Sequence, residues 1–192
     1  MTLICGVDEA GRGPLCGPVF ASAVILDSDL VINKLTDSKK LSDKNRKILY
    51  SEIKLKAIEY SYATASVEEI DKINILQASL LAMKRAFNLL KTQPDFTYID
   101  GIYCPDIKIL PMEAIVRGDS LIHAISAASI VAKVERDKYM LKLDQKYPEY
   151  NLKKHKGYPT KEHIRLLKEH GVNETYRRSF KPIKELINKK NT

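Results

Sequence analysis

No stretch of this 192-residue chain is apolar for long enough to span a bilayer, and no membrane partner is expected. Too few apolar residues precede Asp8 for a signal peptide, which makes a reducing cytoplasm the expected setting. Cysteine is scarce and odd in number: Cys5, Cys16 and Cys104 include no C-x-x-C pair and lie in or beside apolar runs, as buried reduced thiols do. No pair of catalytic histidines is evident. His123, His163 and His170 fall on predicted helices, and His155 reads as a loop residue. No repeat, low-complexity linker or break in composition divides the chain. One domain over 1–192 is expected, with a basic helical segment from about 148 to 192.

What is present is an excess of positive charge. Lys and Arg number 32 against 24 Asp and Glu, a formal net charge of +8, which favours a polyanionic partner, nucleic acid first among them. With 44% hydrophobic residues the chain can bury one sizeable core.

The pattern of apolar residues predicts strands over Leu3 to Val7 and Val19 to Leu26, then a helix capped by Ser42. Ile58, Tyr60 and Tyr62 alternate as a half-exposed strand, so three early strands should form an antiparallel meander. Ser66 and Glu69 form a capping box ahead of Leu76, Leu80, Met83, Phe87 and Leu90, an amphipathic helix expected to end at Pro94. Short strands over Phe96 to Ile99 and Ala114 to Val116 follow, then a helix of small residues from Ser120 to Lys146. Thr160 caps a further helix closed by Gly171, and a Lys-rich helix comes last. Strands with one inserted helix, followed by alternating helix and strand, predict an α/β fold with a mixed sheet flanked by helices.

The string Asp8-Glu9-Ala10-Gly11-Arg12-Gly13-Pro14 sets two carboxylates at the end of an apolar strand, just before a glycine-rich turn. Acids at the end of a buried strand call for something positive, and bare glycine backbone lets N–H groups approach a phosphate. Asp100 and Asp119 share the context of Asp8, each past a strand-like run and beside glycine, so acids from three strands could meet in one crevice. Neighbouring strand residues point to opposite faces, so Asp8 and Glu9 are expected to share a site only if the backbone kinks near Gly11 and Gly13. An all-carboxylate site selects hard cations, Mg²⁺ or Mn²⁺, and crowded carboxylates without one should hold a proton above the usual range.

Asp8 to Pro14, Asp37-Ser38-Lys39-Lys40-Leu41, Ile99-Asp100-Gly101, Gly118-Asp119-Ser120, Ser126 to Val134 and His155-Lys156-Gly157-Tyr158 occur in an order that resembles bacterial-type ribonuclease HII over residues 6 to about 182. The resemblance implies an RNase H-like five-stranded mixed sheet with a helical C-terminal region. It implies a monomeric endoribonuclease acting on RNA–DNA hybrids and on the 5′ side of single ribonucleotides in duplex DNA, leaving 3′-hydroxyl and 5′-phosphate ends. Asp8, Glu9, Asp100 and Asp119 would be catalytic and would ligate two divalent ions, Mn²⁺ or Mg²⁺. By the same resemblance the backbone of Gly11, Arg12 and Gly13 contacts the ribose 2′-hydroxyl and adjoining phosphates, and Tyr158 sits beside the same ribose and stacks on the next sugar. The basic residues Lys39, Lys40, Arg177 and Arg178 are placed at the substrate as candidate phosphate contacts. Pro159 and Tyr176 depart from the family pattern. Two other readings stand beside this one: another RNase H-like nuclease such as ribonuclease HIII, whose acid motif differs from Asp8 to Pro14, and a non-catalytic nucleic-acid module, which would be marked by a missing acid.

Overall fold

Strand β2 (Val19–Asp27) is buried at every position but its last, a pattern that demands cover on both faces. In the computed structural model, which describes residues 2–35, 38, 41–108 and 111–190, that cover comes from two long helices. Val19, Ala21, Ala23 and Ile25 face Ala78, Ala82, Met83, Ala86 and Phe87 of α2 (Val67–Asn88). Val24 and Leu26 face the other way, onto Ala124, Ala127, Ala128 and Val131 of α3 (His123–Lys146) and Leu49 and Ile53 of α1 (Asp43–Lys56). Each Val, Leu, Ile, Met or Phe side chain among these contributes about 1.5–3 kcal/mol when removed from water, and each alanine less.

The sheet has the order β3-β2-β1-β4-β5, with β1 (Leu3–Ala10), β3 (Glu59–Ala65), β4 (Phe96–Asp100) and β5 (Met112–Ile115) around β2. Its first three strands form the expected antiparallel meander, while β1–β4 and β4–β5 run parallel. The mixed five-stranded sheet flanked by helices is the architecture the sequence predicted. Small residues on α3 allow its backbone to lie directly on β1: a Cβ at Gly6 would sit 2.0 Å from the carbonyl carbon of Ala124. This close seat fixes where the rest of α3 runs relative to the end of β1.

The structure departs from the sequence reading in several places, among them β1, which runs on to Ala10, and β5, which spans Met112–Ile115. Helix α2 ends at Asn88, well before Pro94, and breaks at Asn74 (φ 66°, ψ 166°), whose side chain accepts the N–H of Gln77 and so caps a second helical half. Helix α3 starts at His123, because Gly118–Ser120 forms a separate 3₁₀ turn. Cys104 is exposed, unlike the buried Cys5 and Cys16, because it stands in the loop after β4.

The C-terminal part adds α4 (Leu152–His155), α5 (Lys161–His170) and α6 (Lys181–Lys190). They enclose a third apolar cluster of Tyr150, Leu152, Leu167, Tyr176 and Ile183 that also contains Leu15 and Cys16 from the β1–β2 connection. Leu15 N–H donates to Gly157 O at 2.8 Å and Arg177 N–H to Leu15 O at 2.9 Å, so the turn after β1 is packed between two C-terminal segments. Among the described residues no helix is long and apolar enough to cross a membrane.

Candidate active site

Strands β1 and β4 pair in parallel from Ile4↔Phe96 to Val7↔Ile99, and one step further along lie Asp8 and Asp100. Side chains alternate along a strand, and Gly6 already lies against α3, so Asp8 points to the α3 face as well. Asp8 is nearly buried, and Ser129 of α3 hydrogen-bonds its carboxylate. Burial, and then the charges of Glu9 and Asp100, hold the Asp8 carboxyl well above the ordinary carboxylate range. Glu9 is raised too, chiefly by burial, while Arg12 pulls the other way.

No backbone kink is needed for Asp8 and Glu9 to share a site: β1 stays in register with β2 through Ala10↔Phe20, and the chain turns only at Gly11 (φ +100°). Strand β4 instead stops at Asp100 and leaves the edge of β1 open, and there Glu9 lies within electrostatic reach of both Asp8 and Asp100. On that stretch Asp8 Oδ1 accepts the N–H of Glu9 at 2.6 Å. Asp119 arrives from the loop after β5. Gly118 N–H donates to Asp100 Oδ1 at 2.8 Å, Ser126 Oγ donates to Asp119 O at 2.6 Å, and Asp119 is buried.

Two arginines build the neighbouring turn. Gly11 has φ +100°, and a Cβ there would fall 2.1 Å from Arg136 Nε. Arg136 donates to Lys156 O at 3.1 Å and to Cys16 O at 3.4 Å. Arg177 donates to Gly11 O, Arg12 O and Gly17 O at 2.7, 3.0 and 2.9 Å. Tyr158 is 41% exposed and borders this turn, its ring edge 3.4 Å from where a Cβ of Gly13 would be. Its carbonyl is bonded by His163 Nδ1 at 2.9 Å, while His163 Nε2 bonds the Tyr176 hydroxyl at 3.0 Å and the ring stacks on His155. Burial holds His163 down to about 4, so this imidazole is neutral.

The structure thus gathers Asp8, Glu9, Asp100, Gly11, Arg12, Gly13 and Tyr158 at one end of the sheet. Lys39 and Lys40 lie outside the described residues, but Ser38 between Asp37 and Lys39 bonds Ser129 at 2.8 Å, and Arg46 holds Ser38 O at 3.0 Å and Leu41 O at 2.8 Å. Arg178 is exposed, its backbone N–H taken by Asp71 at 2.9 Å. Arg177 corrects an expectation. With no exposed surface and three carbonyls on its guanidinium, it supports the glycine turn from within and does not contact phosphate in this conformation.

Sequence reasoning missed Ser129 and Arg136. The signal lay in Ser126, Ser129, Lys133 and Arg136, which recur at spacings of three and four as one polar stripe along a helix of small, buried residues.

Among the described residues no three His, Cys, Asp or Glu side chains close around a cation as they stand. Three of the acids already have a protein donor: Asp8 the Glu9 N–H, Asp100 the Gly118 N–H, and Glu9 the Arg12 guanidinium at 3.3 Å. The donor set nevertheless fits a hard divalent ion. It is all oxygen and partly desolvated, and its mutual repulsion is what a cation relieves.

A mixed sheet in this order, with carboxylates at the ends of its paired parallel strands and a glycine turn beside them, defines a nuclease of the ribonuclease H class. The chain belongs to the ribonuclease HII family, whose model matches residues 5–183. It is 51% identical over 186 residues to a ribonuclease HII of Psychromonas ingrahamii, covering 97% of this chain and 91% of that protein. To a ribonuclease HII of Vibrio parahaemolyticus it is 53% identical over 187 residues, 96% and 87% of the two chains. The crystal structure of ribonuclease H2 from Pyrococcus horikoshii superposes with a TM-score of 0.86 at 27% identity, covering all of both chains. The chain is accordingly a hydrolytic endoribonuclease, in a family of divalent-metal-dependent nucleases acting on RNA–DNA hybrids.

Proposed function

We propose that this endonuclease cleaves the RNA strand of RNA–DNA hybrids and cuts duplex DNA on the 5′ side of a single embedded ribonucleotide, leaving 3′-hydroxyl and 5′-phosphate ends. The observation that carries the reading is the junction of two functions on one strand: Asp8 and Glu9 lie within electrostatic reach of Asp100, and just beyond them the glycine turn exposes Arg12 and Gly13, with Gly13 beside Tyr158. A protein separates RNA from DNA by the 2′-hydroxyl, which bare backbone can approach and which sits next to the phosphate to be cut.

Asp8, Glu9, Asp100 and Asp119 would hold two divalent ions, which supply an activated water and stabilise charge on the departing 3′ oxygen. Ser129 orients Asp8 through its hydrogen bond. Arg12 neutralises Glu9 in the resting protein and is half-exposed, so it can turn toward phosphate when Glu9 is otherwise engaged. Tyr158 presents an aromatic face to the sugar after the ribonucleotide, on a backbone held by His163. Arg178, with Lys39 and Lys40, contributes positive charge for flanking phosphates.

The test uses one duplex with a lone ribonucleotide and an all-DNA control, each with Mg²⁺, Mn²⁺ or EDTA. Cleavage only 5′ to the ribonucleotide and only with metal is expected. Cutting in EDTA, or equal cutting of the control, overturns the reading.

A further inference from the structure

Arg136 and Arg177 are both almost completely buried, and among the described residues neither forms an ion pair. Two buried guanidinium groups without carboxylates are a poor way to stabilise a core, since an apolar residue of similar volume would serve as well or better. Arg136 Nε even lacks a hydrogen-bond partner, and it occupies the space where a Cβ on Gly11 would lie. What this arrangement achieves lies in the partners chosen, which are backbone carbonyls of the turn after β1 and of the residue before Gly157.

In a trans peptide the C=O and the N–H point in opposite directions. Arg177 draws the carbonyls of Gly11 and Arg12 inward at 2.7 and 3.0 Å, so the N–H groups of those same two peptides, on Arg12 and Gly13, point outward. Arg12 and Gly13 are exposed, and among the described residues neither amide donates to a protein acceptor. Two successive outward amides form a small anion-binding concavity. The two cations lie directly behind it, where screening by water is weak.

We infer that Arg177, backed by Arg136, is a positioning residue that turns the Arg12 and Gly13 amides outward into a phosphate-binding nest at the ribonucleotide. The inference rests on the proposed reading of Gly11 to Gly13 as the element that meets the substrate. Neither arginine touches nucleic acid. They act through the peptide planes, and Arg136 ties the same turn to the Lys156–Tyr158 loop through Lys156 O, so both reading elements keep one spacing.

The test has two arms, applied to the wild type and to R177M. In the first, amide resonances of Arg12 and Gly13 are followed by NMR during titration with inorganic phosphate. Both should shift in the wild type, and neither in R177M. In the second, anisotropy in Ca²⁺ compares binding of a single-ribonucleotide duplex with its all-DNA counterpart. Affinity for both duplexes should fall in R177M, because each offers the phosphate, and the ribonucleotide duplex should lose about tenfold or more beyond the all-DNA duplex, so that the preference shrinks. Should R177M lose its fold, R177K carries both arms, since an ammonium keeps the charge but cannot serve three carbonyls held in a fixed fork. Unmoved amides in the wild type, or amide shifts and preference retained in the folded variant, overturn the inference. Amides that behave as expected in a wild type with no preference for the ribonucleotide leave the nest standing and overturn the ribose reading instead.

Discussion

Asp100 Oδ1 accepts the backbone N–H of Gly118 at 2.8 Å, and this bond fastens the loop that carries Asp119 to the end of β4. A Cβ at Gly118 would come within 2.4 Å of Ile125 Cδ1 and 3.3 Å of the Ile115 Cβ. Gly118→Ala is expected to cost about 1–2 kcal/mol of stability through overpacking. Cleavage should drop about tenfold through a displaced Asp119, a loss larger than the fraction unfolded explains. Melting curves and initial rates on the same preparation check this.

Asp8→Asn should abolish cleavage and yet stabilise the metal-free protein by about 1–2 kcal/mol, because it removes a buried charge facing two others. The pH dependence follows from the same cause. Asp8 and Glu9 titrate higher in the folded chain than in the unfolded one, so their contribution is fully present at low pH and is lost as pH rises through the raised folded values. In EDTA the wild type should lose stability relative to Asp8→Asn as pH climbs above the ordinary carboxylate range. Mg²⁺ should restore it. Urea midpoints between pH 4 and 8 with and without metal are the measurement, and parallel curves for the two proteins would refute the assignment.

His163 gives the opposite slope. Its folded pKa of about 4 lies below the ordinary value of 6.5, so its contribution is present above 6.5 and is lost as pH falls toward 4. Integrated over that window the effect is on the order of 2–3 kcal/mol. His163→Gln should flatten this part of the stability profile. Its activity at pH 8 should fall mainly through a higher KM, because Tyr158 loses the bond to its carbonyl.

Tyr158→Ala should lower cleavage at a lone ribonucleotide by about tenfold or more while duplex affinity changes little. Equal loss in both would reduce Tyr158 to a general contact. Binding by every variant should weaken with added salt, since a net charge of +8 implies counterion release on the duplex.

The sheet, its order of appearance and most helix ends were legible because alternation and capping are local signals: Ser42, Ser66 and Thr160 all cap as read. Asp8, Glu9 and Asp100 were legible because a carboxylate at the end of a buried apolar strand is costly unless a positive group is held against it. The break at Asn74 was not, since it needs one residue in a left-handed conformation inside an unbroken apolar rhythm. The roles of Arg136 and Arg177 were hidden for a different reason. A basic pair such as Arg177-Arg178 looks alike whichever member turns inward, and only the third apolar cluster decides that Arg177 is the buried one.

The bond from Arg177 to Gly11 joins residues 166 positions apart. During synthesis Asp8, Glu9, Asp100 and Asp119 have all emerged by residue 119, and the sheet together with α3 that covers it is complete by residue 146, before Arg177 exists. The glycine turn cannot be set until Arg177 is available. Presentation of substrate is therefore the last step of assembly, and a nascent chain stalled short of that arginine carries its acids without the means to aim them.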